Sequence, residues 1–336
     1  MPNSHHSATL IIGPSWVGDM VMAQSLFKVL KQQSPERAID VLAPAWSLPL
    51  LERMPEVRNA ICQPVGHGKL ALGVRYQLAK SLRKTAYQQA LVLPNSLKSA
   101  LIPFWANIPQ RRGYVGELRY FLLNQARKLD KNELTRTVDR FVALALPENA
   151  PLPEPLPIPA LQISPAAVQR ALNSFGLQQD KPILALCPGA EYGPAKCWPP
   201  EHFAKVAQHQ LEQGWQIWLF GSEKDRATAE TINQLTGGSC QNLCGKTSLA
   251  QAIDLLSIAH SVISNDSGLM HVAAALNRPL VALYGSSDPG FTPPLSENAH
   301  ILSLDLDCSP CFKRQCPLGH LACLSDILPQ DVSRLI

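Results

Sequence analysis

Residues 264–276 read "SNDSGLMHVAAAL" and follow "AHSVI" at 259–263. The earlier run is short, apolar and β-branched, which predicts a buried strand. The later run, "LMHVAAAL", predicts an apolar helix. Between them stand Asn265, Asp266, Ser267 and Gly268, small and mostly polar. A strand passing directly into a helix through such residues is the grammar of a parallel α/β unit. The helix N-terminus that results carries unpaired N–H groups and partial positive charge, which suit a phosphate. Plain N-capping by Asp266 or Ser267, with His271 packed in the helix, also accounts for these residues and, taken alone, is the commoner arrangement.

The same pattern extends outward in both directions. Further strands are predicted at "PILALC", "WQIWLF", "QNLC" and "PLVALYG" in the second half, and at "TLIIG", "AIDVLA", "QALVLP" and "RRGYV" in the first. Amphipathic segments such as "MVMAQSLFKVLKQQ" and "PEHFAKVAQHQLEQG" lie between them. Near-continuous apolar strands alternating with helices imply parallel sheets covered on both faces. The halves are divided by "LPENAPLPEPLPIPALQISP", residues 146–165, too rich in proline for helix or strand. The expectation is therefore two Rossmann-like, doubly wound α/β domains, 1–160 and 161–336, joined by a semi-rigid linker and facing a cleft. Ligands in such sheets sit beyond the carboxyl ends of the strands.

Composition narrows the class. With 46% hydrophobic and 17% charged residues among 336, the chain can build two cores and is not disordered. There is no apolar run long enough to span a bilayer. The start, "MPNSHHSATLII", lacks a basic leader, so a cytoplasmic protein is expected. The nine cysteines are read as free thiols of a reducing compartment. Net charge is only +4, but from Val57 to Gly116 there is no acidic residue. That window holds Arg58, Lys69, Arg75, Lys80, Arg83, Lys84, Lys98, Arg111 and Arg112. A one-sign field attracts an anionic partner, although solvated helix faces would look the same.

Four strand ends carry candidate chemistry. The first is the Asp266–Gly268 turn. The second is "CPGAEYGPAKCWPPEHF", 187–203, where Gly189 and Gly193 flank a loop bearing Lys196, a mobile cation suited to a diphosphate leaving group. In "WLFGSEKDR", Glu223 follows a strand and is placed to accept from ribose hydroxyls, or simply to start a helix. In "LIIGPSWVGDMVMAQ", Asp19 follows Gly18 and opens a helix, as a general base for an acceptor hydroxyl or as an N-cap. Neither G-x-G-x-x-G nor a complete P-loop is present. Finally, "CSPCFKRQCPLGHLAC", 308–323, contains half of a zinc-like spacing, but the remainder matches no common finger. Structural zinc and other roles for grouped thiols both stay open.

The segments "GPSWVGDMVMAQSLF", "VLAPAWSLPLLERMPEV", "CPGAEYGPAKCWP" and "NDSGLMHVAAALNRPLVALYGSSDPGFTPPLS" resemble the ADP-heptose:lipopolysaccharide heptosyltransferase family. Within it, the chain is most similar to members that extend the first heptose of the inner core. The resemblance implies a GT-B fold and an inverting transfer of heptose from ADP-heptose, with no cofactor and no catalytic metal. It matches Asp19 to the catalytic aspartate and Lys196 to the phosphate-binding lysine. Glu223 matches a ribose-binding acid, and Asp266, Ser267, Gly268 and His271 match the donor motif. Gly189 joins the donor set. Lys98, Arg111 and Arg112 are expected to meet the anionic lipopolysaccharide core at the cytoplasmic face of the inner membrane, with no nucleic acid partner. Where a basic residue is common, this chain has Cys197. A transferase with another sugar or acceptor, such as one that adds the first heptose, and a non-catalytic two-lobed binding protein are the alternatives.

Overall fold

A computed structural model describes residues 8–66 and 69–336. The heptapeptide "MPNSHHS", part of the leader argument, lies outside the described residues. The chain divides into two compact units, the first ending at Pro159 and the second running Ala160–Ile336. Between 147 and 164 the proline-rich segment forms neither helix nor strand, since proline lacks the N–H that either would need.

Among the described residues each unit holds one six-stranded sheet. The first comprises β1 (Thr9–Ile12), β2 (Ile39–Pro44), β3 (Asn59–Gln63), β4 (Gln89–Val92), β5 (Gln110–Tyr114) and β6 (Gln125–Arg127), in the order β3-β2-β1-β4-β5-β6. The second comprises β7 (Ile183–Cys187), β8 (Gln216–Leu219), β9 (Gln241–Asn242), β10 (Ser261–Asn265), β11 (Leu280–Tyr284) and β12 (Ala299–Ser303), in the order β12-β11-β10-β7-β8-β9. Every pairing is parallel. Counted from each unit's own first strand, both orders are 3-2-1-4-5-6, the doubly wound arrangement. The order reverses between β1 and β4 in one unit and between β7 and β10 in the other. Crevices for ligands open beyond the carboxyl ends at such points.

The central strands explain why these runs were legible. Every residue of β1, β7, β10 and β11 is buried, because helices cover both faces. In the first unit Leu10, Ile12 and Val92 lie in the core, and helix Val17–Gln33 packs on helix Thr137–Ala145. In the second, Leu184, Leu186, Ile263 and Leu283 surround Trp198, whose ring meets Phe203 edge-on at 4.9 Å and whose Nε1 donates to Ile327 O at 3.0 Å. Three strands absent from the sequence reading, β3, β6 and β12, are all edge strands. β3 and β12 are partly exposed and β6 has three residues, so none shows a continuous apolar run. Among the described residues no helix is long and apolar enough to cross a membrane.

Candidate functional site

The second unit's reversal point gathers most of the predicted residues. β7 ends at Cys187 and leads into Pro188 and Gly189, and β10 ends at Asn265, completely buried. The Asn265 amide fastens both ends of the intervening loop. Its Nδ2 donates to Pro188 O at 2.7 Å, and its Oδ1 accepts from Trp198 N at 3.0 Å. Loop 188–198 is thereby tied to the β10 terminus at one end and to the core, through Trp198, at the other.

Lys196, in a short 3-10 turn at Pro194–Lys196, is held over that terminus. Its Nζ donates to Asp266 Oδ2 at 2.5 Å, and Ser287 Oγ donates to the same oxygen at 2.5 Å. The Asp266 side chain is 5% exposed and that of Lys196 is 16% exposed. The lysine also lies 5.1 Å from the centroid of the Tyr192 ring, a cation–π distance. An ion pair this sheltered keeps much of its Coulomb attraction, and it holds the cation at the strand end.

Helix Gly268–Ala275 starts beside it. Ser267 is the N-cap residue, yet no side chain caps the helix. Ser267 Oγ instead lies 3.2 Å from Ser264 Oγ, and the Asp266 carboxylate faces Lys196 and Ser287. The capping expected of these two residues is therefore corrected: both hydroxyl and carboxylate have other partners, which leaves the first-turn N–H groups without a side-chain acceptor. His271 follows inside the helix, 5% exposed. Burial, helped by the nearby Lys196 cation and opposed by Asp266, lowers its pKa to about 4, so it is neutral near pH 7.

Gly189 is required by close approach. A Cβ there would stand 2.2 Å from the Asp225 carboxyl carbon, so any side chain would displace that carboxylate. Asp225 Oδ2 accepts from both the N–H and the hydroxyl of Ser222 at 2.7 Å. Glu223 lies in the 3-10 turn between them, exposed, with Arg226 Nη1 3.2 Å from its Oε1. The turn packs under Gly245, where φ is +71° and a Cβ would collide with Glu223 Oε2.

In the first unit, β1 runs through Gly13 into helix Val17–Gln33, and a Cβ at Gly13 would lie 2.7 Å from Met20 Cε. Asp19 is the third residue of that helix, in its first turn, and is partly exposed. Trp16 is the N-cap residue, so an N-cap role for Asp19 is corrected. A carboxylate in the first turn still complements the helix dipole.

The structure changes the meaning of the acid-free window. Arg58 pairs with Asp40, outside the window, at 2.6 Å. Arg75 is 2% exposed and donates to the carbonyls of Leu70, Lys69 and Lys98. Arg111 donates to Leu122 O and Ile108 O and lies 5.5 Å from the Phe104 ring centroid. Arg112 donates to Gln125 Oε1 and to the carbonyls of Leu144 and Leu146. With Arg127, which donates to Ala143 O and Leu146 O, it clamps the C-terminus of helix Thr137–Ala145, where cations are favoured. Five of the nine basic residues therefore have structural partners, because Arg83 also donates from Nε and Nη2 to Trp105 O, at 3.0 and 2.6 Å. Lys69, Lys80, Arg83 and Lys84 remain exposed, and Lys98 is half-buried in helix Leu97–Trp105.

Ser287 is a site residue the sequence did not point to, and Asn265, named there only as part of the polar turn, was given no role of its own. A buried polar residue closing the apolar run "SVISN" was the available signal for Asn265. Nothing in the sequence tied Ser287, 21 positions beyond Asp266, to its carboxylate.

Comparison with known proteins bears on this arrangement. The family described as "Glycosyltransferase family 9 (heptosyltransferase)" matches residues 75–322. The lipopolysaccharide heptosyltransferase 2 of Salmonella typhimurium is 50% identical over 332 residues, covering 96% of this chain and 95% of that protein. The lipooligosaccharide heptosyltransferase 2 of Haemophilus influenzae is 51% identical over 306 residues, 88% of each. The solved structure of E. coli ADP-heptose lps heptosyltransferase II superposes with a TM-score of 0.87 at 45% identity, covering 98% of this chain and 97% of that one.

Proposed function

The chain belongs to glycosyltransferase family 9, the heptosyltransferases, and on that premise we propose that it transfers heptose from ADP-heptose to the first heptose of the lipopolysaccharide inner core. The observation that carries the reading is the group at the β7/β10 reversal: a sheltered Lys196 cation beside a helix N-terminus that no side chain caps. That pairing suits a nucleoside diphosphate. Its charge rises as the sugar leaves, and a fixed cation with aligned N–H groups stabilises that rise.

The second unit is the donor side of this reading. Lys196 exchanges Asp266 for the diphosphate. Gly268 and the first turn of its helix supply N–H groups, Gly189 lets the ligand approach the backbone, and Glu223 accepts from ribose hydroxyls. Neutral His271 packs behind the phosphates without adding charge. The first unit is the acceptor side. Asp19 takes the proton from the acceptor hydroxyl, and that oxygen attacks the anomeric carbon from the face opposite the departing ADP. The outcome is inversion in one displacement. Lys98 and the exposed Lys69, Lys80, Arg83 and Lys84 give the acceptor side a positive field for phosphorylated core sugar at the inner membrane's cytoplasmic face.

One assay tests the reading. The purified chain is mixed with ADP-heptose and with lipopolysaccharide core ending at its first heptose, and product mass and ADP release are followed together. A gain of one heptose with matching ADP is the expected result. Transfer only to core lacking heptose would assign the preceding step instead, and absence of ADP release would remove the enzyme reading.

A further inference from the structure

Residues 308–323 are packed directly on the loop that carries Lys196. Ala195 N donates to Arg314 O at 3.1 Å, and a Cβ at Gly193 would stand 2.6 Å from that same carbonyl oxygen. Tyr192 Oη donates to Phe312 O at 2.7 Å. Arg314 and Lys196 both lie within cation–π distance of the Tyr192 ring. On the β11 side, Phe312 N donates to Ser286 O at 2.7 Å and Ser309 Oγ to Gly285 O at 2.6 Å. From 308 to 320 the chain has no helix or strand of its own. Its side chains include few large apolar groups, and Phe312 and Leu318 point outward, 49% and 62% exposed. Burial of its own side chains thus does little to hold this strap in place.

What the strap does bring together is sulfur. Cys308, Cys311, Cys316 and Cys323 all line one cavity, with Ala195 and Ser286 on its wall. The cavity has a volume of about 20 Å³, and about 10–15 Å³ suffices for one small occupant. His320 is a weaker candidate ligand, because its Nδ1 already accepts from Ala322 N at 2.9 Å.

We propose that Cys308, Cys311, Cys316 and Cys323 bind one soft divalent metal ion, zinc by the chemistry of a four-sulfur set, in a structural centre that fastens the 308–323 strap to the donor loop. Among the described residues no three Cys, His, Asp or Glu side chains are already arranged to hold a metal ion, so binding draws the sulfurs inward. The strap can follow, having no regular structure to break and a glycine, Gly319, at φ +78° in the turn after Cys316. Each thiol gives up its proton as it forms a metal–sulfur bond, so affinity rises with pH. The fastening of a donor loop rests on the proposed function, whereas metal content is read without substrate, so the two fail separately.

The test uses the full chain purified under reducing conditions, with metal measured by mass spectrometry and binding followed by cobalt titration. About one metal ion per chain and a thiolate-to-cobalt charge-transfer band are expected. The Cys308→Ser/Cys311→Ser variant should lose both, and Cys62→Ser, altering an exposed thiol of β3, should lose neither. Trypsin should cut after exposed Lys313 and Arg314 faster once the metal is removed. If wild type binds no stoichiometric metal and shows no cobalt–thiolate band, or if the double variant keeps its metal, the proposal is overturned. The wild-type arm decides the question even where the variant fails to fold.

Discussion

Lys196 Nζ and Asp266 Oδ2 lie 2.5 Å apart at the carboxyl ends of β7 and β10, where the order of the second sheet reverses. The two residues are 70 positions apart in the chain. Each arrives at the end of a different buried strand, and the pair exists because those strands are neighbours. Asp266 holds the cation in place at the strand end. Ser287 donates to the same oxygen, so in the proposed reaction the carboxylate stays partnered when the lysine turns to phosphate.

Replacing Lys196 with Met keeps the length of the stem and removes the charge. We expect kcat to fall by about 10²–10³, the usual effect of losing one preorganised group at a developing negative charge. The structure should survive, because Ser287 still donates to Asp266. Turnover by ADP release and melting temperature, measured together, check this; wild-type kcat would separate Lys196 from the leaving group.

His271 makes stability depend on pH. Its folded pKa is depressed to about 4, against about 6.5 for the unfolded chain. Between those values the unfolded state binds a proton that the folded state does not, so stability is complete above about pH 6.5 and declines as pH falls toward 4. In His271→Gln this part of the slope should vanish. Denaturant unfolding at a series of pH values measures it, and an unchanged slope in the variant would assign the dependence to other groups.

How much of this was legible follows from what each residue must do. β1, β7, β10 and β11 are buried on both faces, so their whole length is apolar and visible in sequence. β3, β6 and β12 close the sheet edges, need less burial, and leave no such run. At the site, Lys196 and Asp266 were visible as polar residues just beyond strands. Their pairing was not, because it depends on strand order. The basic window stayed open to two readings for a related reason. Charge is countable in sequence, but the carbonyls that Arg75, Arg111 and Arg112 satisfy are backbone groups, which every residue carries and which composition cannot reveal.

That distinction separates two kinds of basic residue by experiment. Arg112→Ala removes donors from Leu144 O and Leu146 O at a helix C-terminus. It should cost about 1–3 kcal/mol of stability, seen as a lower melting temperature. Lys98→Ala should leave the melting temperature within error, raise the KM for the lipopolysaccharide acceptor and weaken its dependence on salt, with donor KM unchanged. The reverse pattern, a stable Arg112→Ala enzyme with impaired acceptor binding, would restore Arg112 to the acceptor surface.

Asp19 carries the chemical step in the proposed reaction, and its position makes a clean substitution available. It lies in the first turn of helix Val17–Gln33 but is not the N-cap residue, and there its charge complements the helix dipole by about 0.3–1 kcal/mol. Asp19→Asn keeps the shape and loses the charge and the proton acceptor together. The variant should remain folded, which its melting temperature checks. ADP-heptose affinity, measured by calorimetry, should be nearly unchanged, since the donor is assigned to the other unit. The kcat should drop by about 10²–10⁴, the range for a positioned general base. A base also predicts a pH profile: wild-type kcat falls as the carboxylate protonates at low pH, and the residual rate of Asp19→Asn loses that limb. If the variant turns over at the wild-type rate, the proton goes to another group.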